Sequence, residues 1–192
     1  KDKASALIYF KDMKEACSAV TKLKLARDAK TINIEAVELI DRAGLASIEN
    51  DAAMPSFIKD FDENITALLI ETRAISDEQL DIQTIQIEEL LKEFEVVKQI
   101  FFTKDVAQYT LYWKIRKGLF PAVGAVRKTG TTVIIEDVAY PIEHLAEATL
   151  ELQELFKKHG YKEAIIFGHA LEGNFHFVFT QDFSHKKEVK RY

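Results

Sequence analysis

The chain has 192 residues, 47% of them hydrophobic, with three prolines and seven glycines, a balance that describes a folded protein with one substantial core or two small ones. Its formal net charge of −5 argues against nucleic acid or an anionic membrane surface as a partner. A single cysteine, Cys17, excludes an internal disulfide framework and fits a reducing compartment, and no apolar run approaches the roughly 20 residues of a membrane span.

Strands and helices are predicted in alternation along the chain. Residues 5–10 form a short apolar strand, and 11–26 a helix whose stripe of Met13, Cys17, Val20 and Leu23 makes Cys17 a core thiol rather than a nucleophile. Residues 32–40 alternate as a strand with Ile32, Ile34, Ala36, Glu38 and Ile40 on one face, and Asp41 is placed to cap a short helix ending near Asn50. Another strand covers 65–73. Ser76 followed by Gln79 is a capping-box signature opening a helix with the core face Leu80, Thr84, Ile87, Leu91 and Phe94. A fourth strand is predicted over 95–102. A bridging helix follows from about Asp105 to Gly118, then a loop holding Pro121, Gly124 and Gly130.

A second round begins with a strand over 131–138. Pro141 opens a helix with the apolar face Ile142, Leu145, Ala146, Thr149, Leu152 and Phe156, and Gly160 ends it. A hairpin over 163–179 supplies two strands, and Asp182 or Ser184 caps a last helix. Its basic run of His185, Lys186, Lys187, Lys190 and Arg191 reads as a solvated face. The order is that of an α+β protein with ferredoxin-like antiparallel sheets and helices, duplicated in tandem with the second half truncated. The implied division is 1–103 for the first half, 104–130 for the bridging helix and loop, and 131–192 for the incomplete second half. The chain starts without methionine just before a strand and stops a few residues into a helix, so it reads as a piece of a larger protein.

The chemistry concentrates in Gly168-His169-Ala170-Leu171-Glu172-Gly173-Asn174-Phe175-His176. With Glu172-Gly173 as a two-residue turn, His169 stands directly opposite His176 on one sheet face, with Cβ atoms roughly 4.5–5.5 Å apart. That is close enough for both rings to bind one cation, although two hydrogen-bonded histidines in a strand pair account equally well for the spacing. Zinc, iron or manganese would need a third or fourth ligand. Glu172 points to solvent, and Glu136 and Asp137 lie on another strand. His144 and His159, on and at the end of a helix, read as structural. Arg116, near the end of the bridging helix, could grip a carboxylate in a bidentate fork or be an ordinary surface arginine. The loop with Gly124, Arg127, Lys128 and Gly130 lacks P-loop spacing.

Trp113-Lys114-Ile115-Arg116, the run from Val133 to Ala139 followed by Pro141, and Gly168-His169 through Asn174-Phe175-His176 occur in this order. Together they resemble the C-terminal, substrate-side domain of FAD-linked oxidases, a family that includes D-lactate dehydrogenases, glycolate oxidase and D-2-hydroxyglutarate dehydrogenase. The Glu38-Leu39-Ile40-Asp41 strand end is a looser sign. The resemblance implies a separate FAD-binding domain of the same polypeptide, and a small D-2-hydroxy acid, most like D-lactate, held against the flavin. It implies Arg116 and Asn174 as substrate-binding residues and His169 and His176 as ligands of a divalent ion such as zinc or manganese. It further implies an iron–sulfur module or a quinone as electron acceptor, and a cytoplasmic location or a peripheral one at the inner face of the membrane. The base that takes the hydroxyl proton is expected beyond Tyr192, so no catalytic residue is assigned within the chain and the fragment alone is expected to be inactive.

Three departures from the family pattern qualify these implications. Leu171-Glu172 stands where many members have Gly-Asp. Ile135 and Phe120 stand near the places of the lysine and threonine used by the 2-hydroxyglutarate enzymes, which argues against that diacid. The Glu-His-Gly element of the family is absent. Two readings from other classes stand beside this one: a non-catalytic ferredoxin-like module that binds a ligand or subunit, and a metal-dependent hydrolase lacking a visible ligand set.

Overall fold

The computed structural model describes residues 2–51 and 54–192. One antiparallel sheet organises them: β1 (Asp2–Phe10), β2 (Ala36–Ile40), β3 (Thr66–Ala74), β4 (Thr131–Ala139), β5 (Ile165–His169) and β6 (Asn174–Asp182), in the order β1-β3-β2-β5-β6-β4. The last three strands and their helices follow a β-α-β-β-α sequence, and the first three follow the same order with one short helix, at Arg42–Ile48, inserted between β2 and β3. They join where β2 pairs with β5, Glu38 opposite His169 and Ile40 opposite Phe167. No helix of the described residues is long and apolar enough to cross a membrane.

Helices cover both faces. On one, α1 (Met13–Asp28), α3 (Asp77–Leu91) and α5 (Leu145–Lys158) pack through Leu23, Ile87, Leu91 and Leu145 onto Ile8, Leu39, Ile70 and Phe175. On the other, α2 (Arg42–Ile48) and α4 (Val106–Val126) pack through Leu45, Ile115, Leu119 and Val123 onto Ile40, Ala67, Phe167 and Val178. Two caps are those the sequence predicts: Asp41 accepts from the Gly44 amide at 2.7 Å and Ser76 from the Gln79 amide at 3.3 Å. Cys17 is fully buried on the α1 stripe.

Several expectations change. The predicted fourth strand over 95–102 is not a strand; it touches β1 through two isolated bridges, Phe10–Val96 and Ser5–Thr103. Between those bridges β1 advances five positions while its neighbour advances seven, so no continuous register is available. The strand over 32–40 starts only at Ala36, and Ile32 and Ile34 join the core of the α1 side, while Ile40 faces the α4 side. The bridging helix does not stop at Gly118. Ile115, Leu119 and Val123 form one buried stripe that carries it through Gly118 and Pro121 to Val126, leaving a much shorter loop before β4. Pro121 removes one helical hydrogen bond, on an exposed side of the helix. Neither Asp182 nor Ser184 caps the last helix, α6 (Lys186–Arg191). His185 occupies that position, and the Asp182 side chain instead accepts from the Ser184 amide and hydroxyl.

The hairpin is also offset from its predicted register. His169 pairs with Asn174, and Phe167 with His176. Ala170 and Leu171 are buried in the α1-side core, which turns 170–172 into a 3-10 turn closed by Gly173 in the left-handed region, φ 64°. The connection is therefore four residues long. Because the slip is two residues, His169 and His176 stay on the same face as diagonal neighbours.

Candidate functional site

The α4-facing side of the sheet carries the site, and its centre is a carboxylate that sequence reasoning did not place there. Glu38 sits in a strand between Val37 and Leu39 and is only 5% exposed. A carboxylate buried to that degree needs partners for both oxygens. The β2–β5 ladder sets His169 directly opposite, with Nδ1 2.6 Å from Oε1 of Glu38. From above, α4 brings Arg116, whose Nε donates to Oε2 at 2.7 Å. The guanidinium also lies 4.7 Å from the ring centroid of Phe167, a cation–π contact that fixes its plane. Two neighbours therefore hold Arg116 by its Nε edge and its face. Among the described residues nothing hydrogen-bonds its Nη1 and Nη2, so the terminal fork is free.

His176 continues the row. Its ring centroid is 5.5 Å from that of His169, with the planes at 81°, and Asp137, opposite it on β4, takes the Nδ1 hydrogen bond. Each imidazole thus turns Nδ1 to a carboxylate. With the carboxylates ionised, Nδ1 carries the proton and Nε2 the lone pair. Asn174 stands beside His169 on the same face, its Nδ2 3.4 Å from the Val138 carbonyl. The arrangement offers a forked cation beside two oriented nitrogen acceptors, which suits a ligand bearing a carboxylate next to a hydroxyl.

Arg116, Asn174, His169 and His176 are brought to one face, as the sequence analysis expects. The metal expectation finds less support. Glu38 and Asp137 are engaged as braces, the role carboxylates take behind metal-bound histidines. Among the described residues, however, no group of three or more His, Cys, Asp or Glu side chains could hold an ion. His169 and His176 supply two nitrogen donors and no third ligand. The other histidines lie elsewhere, His144 and His159 at the two ends of α5. Glu172 is exposed and pairs with Arg27 at 3.1 Å, and Arg127 caps α4 by donating to the Gly124 carbonyl at 2.8 Å. The lysines of the terminal basic run are exposed, but Arg191 packs over Tyr161. Glu38 and Asp137 were the residues missed. For Glu38 the available signal was an acidic residue in a strand otherwise made of Ala, Val, Leu and Ile.

A family model described as FAD linked oxidases, C-terminal domain, matches residues 1–192. No curated protein matches the sequence. Among solved structures, an alkyldihydroxyacetonephosphate synthase matches with a TM-score of 0.67 and 14% identity over 100% of this chain and 38% of that one. A p-cresol methylhydroxylase with substrate bound matches at 0.63 and 14% identity, over 100% of this chain and 41% of its own. The 4-ethylphenol oxidase from Gulosibacter chungangensis matches at 0.60 and 11% identity, over 99% of this chain and 41% of its own. At these identities the likeness is one of fold, and the chain spans about two fifths of the length of each. None of the three is by name a D-lactate dehydrogenase or a glycolate oxidase.

Proposed function

Because the chain belongs to the FAD-linked oxidase C-terminal domain family, we propose that it is the substrate-side domain of a flavoprotein that oxidises a D-2-hydroxy acid. The family implies a partner domain that binds FAD, and the flavin, when bound, supplies the hydride acceptor. The observation that carries the choice of substrate is the free fork of Arg116, fixed by Glu38 and Phe167 beside two imidazoles. A carboxylate accepts two parallel N–H bonds from Nη1 and Nη2. The 2-hydroxyl then lies within reach of the His169 and His176 Nε2 acceptors, which orient it, and Asn174 adds a side-chain amide on the same face.

Glu38 prevents Arg116 from following the ligand and prevents His169 from turning its proton toward the hydroxyl. If a divalent ion such as zinc or manganese takes part, His169 and His176 are the donors this chain offers, and the remaining ligands come from elsewhere. D-lactate is the simplest substrate of the class. The electron acceptor, an iron–sulfur module or a quinone, and a cytoplasmic or membrane-peripheral location belong to the same proposal.

The test is kinetic, in the flavin-bearing parent protein with a dye as electron acceptor. Arg116→Ala is expected to raise KM for D-2-hydroxy acids at least roughly tenfold, equivalent to about 1.4 kcal/mol. Oxidation of alkylphenols in place of hydroxy acids, or an unchanged KM in the variant, overturns the assignment.

A further inference from the structure

Charge is not spread evenly over the molecule. At the corner where β4 and β5 begin and β6 ends, residues 127–128, 154–163 and 182–191 carry nine lysines and arginines against four acids. The corner stands at +5 in a chain whose total is −5, so the remaining residues sum to −10. The net charge, which taken alone argues against an anionic membrane, hides this division. The fold makes one surface of the three segments. A cleft of about 910 Å³ opens there, lined by Arg127 and Lys128 from the end of α4, Lys162 from the turn before β5 and Arg191 from α6. The Arg191 guanidinium lies 4.5 Å from the centroid of the Tyr161 ring, which ties α6 to the turn that follows α5.

Most of these cations are free. Among the described residues only Lys157 and Arg191 form ion pairs, with Glu154 at 3.8 Å and Glu188 at 2.9 Å. The other two acids are turned elsewhere: Glu163 accepts from the Thr180 hydroxyl and Asp182 from Ser184. Seven exposed cations of the corner therefore have no ion-pair partner among the described residues. Apolar side chains stand among them. Leu155 on α5, Phe183 before α6, Val189 on α6 and Tyr192 after it are between 42% and 60% exposed, and the Phe183 and Tyr192 rings meet edge to face with centroids 5.2 Å apart.

Lysines interleaved with exposed aromatic and aliphatic groups suit the boundary between lipid headgroups and acyl chains, where the cations meet phosphates and the apolar groups leave water. A single strand of nucleic acid would use the cations and the rings but gives Leu155 and Val189 nothing to stack on. None of the four apolar side chains lines the cleft, so together they project outward rather than form the pocket that an anchor residue of a protein partner fills.

We propose that this corner docks the protein on a bilayer containing anionic lipids, with the lysines at the headgroup phosphates and Phe183, Val189 and Tyr192 at the acyl boundary. The same bilayer repels the negative remainder of the chain, which fixes the side that faces it. From Asp182 at the corner to His176 is six residues along β6, roughly 20 Å, so docking leaves the Arg116 fork uncovered. The inference gives the membrane-peripheral location a surface and stands apart from the substrate assignment, whose kinetic test it does not touch.

Cosedimentation of the 192-residue chain with vesicles tests it, phosphatidylcholine alone against phosphatidylcholine with about 30% phosphatidylglycerol, in about 0.1 M salt. Partitioning is expected to be at least roughly tenfold stronger on the anionic vesicles. Lys162→Glu, Lys187→Glu and Lys190→Glu together should remove at least roughly tenfold of it, while the same charge change at Lys30, Lys114 and Lys117, exposed elsewhere, should cost less than about threefold. Phe183→Ser with Val189→Ser should weaken binding about threefold or more. All these side chains are exposed, so the variants keep the fold. Equal partitioning on the two kinds of vesicle, or equal losses from the two lysine sets, overturns the proposal. So does binding unchanged by the loss of Phe183 and Val189, or a chain that ignores vesicles and binds poly-glutamate through the same lysines, which assigns the corner to an acidic protein surface.

Discussion

Replacing Glu38 by glutamine keeps the side-chain volume and removes the charge that joins α4 to β5. The amide has one oxygen for two donors, so either Arg116 or His169 then faces an NH2 group. The Glu38 and Arg116 side chains are 6% and 11% exposed, well inside the range where removing one partner leaves a buried charge uncompensated. Breaking such a pair costs about 3–5 kcal/mol. The His169 bond adds less, because that ring is 55% exposed. A loss near 3 kcal/mol is expected for Glu38→Gln, which for a chain of 192 residues lowers Tm by roughly 6–12 °C. Urea unfolding followed by far-UV circular dichroism measures it, together with Arg116→Met and the double variant. With both charges gone the stranded guanidinium disappears, so the double variant should be more stable than Glu38→Gln alone, with a coupling energy of about 2 kcal/mol. A Glu38→Gln change within 0.5 kcal/mol of the parent, or strict additivity in the cycle, refutes the buried bridge as the element that fixes Arg116.

Three further outcomes are expected. Gly173→Ala places a Cβ 2.1 Å from the Tyr140 carbonyl oxygen at a φ of 64°, so it should lose more than about 2 kcal/mol in urea unfolding, whereas Gly118→Ala, with nothing within 4 Å, should be neutral or stabilising by up to about 1 kcal/mol. Burial pushes the Asp41 carboxyl from 3.8 up to about 7, against the hydrogen bonds from the Gly44 and Ile166 backbone. The folded state therefore binds that proton more tightly than the unfolded chain, and the contribution is full below about pH 4 and is lost as pH rises to about 7, at up to ~1.4 kcal/mol per pH unit. Asp41→Asn should gain on the parent protein across that window in urea midpoints taken at each pH, and a pH-independent difference refutes the argument. Burial likewise raises the Cys17 thiol to about 12, so an aromatic disulfide reagent should leave it unmodified in the native chain and label it fully in urea; fast native labelling contradicts its place in the core.

Local signals were legible where one element determines its own form. Asp41 and Ser76 cap the helices they precede because capping needs only a side chain and an amide three residues on. The α3 face of Leu80, Thr84, Ile87 and Leu91 is buried as its periodicity requires. Errors arose where distant packing decided. Glycine and proline suggest a break at Gly118 and Pro121, but Leu119 and Val123 have a surface to bury against, and the helix continues. Glu172-Gly173 looks like a two-residue turn until Ala170 and Leu171 are drawn into the core under α1, which slides the ladder by two residues. Asp137 was visible as an acid on a neighbouring strand, yet its pairing with His176 depends on the β4–β6 register. Glu38 and His169 are 131 positions apart, and only the meeting of β2 with β5 makes them partners.

The short ladder between β2 and β5 has a kinetic consequence. Its contacts close loops of about 130 residues, among the longest in the chain, and such contacts form late because their entropic cost is met only after local structure exists. Glu38 arrives from one side of that seam and His169, Phe167 and His176 from the other, with Arg116 on the helix between. A half-folded chain therefore has no oriented guanidinium fork and no braced imidazole pair. Assembly of the site becomes a late event of folding, so an intermediate presents neither the fork nor the braced pair to a ligand before the sheet is complete.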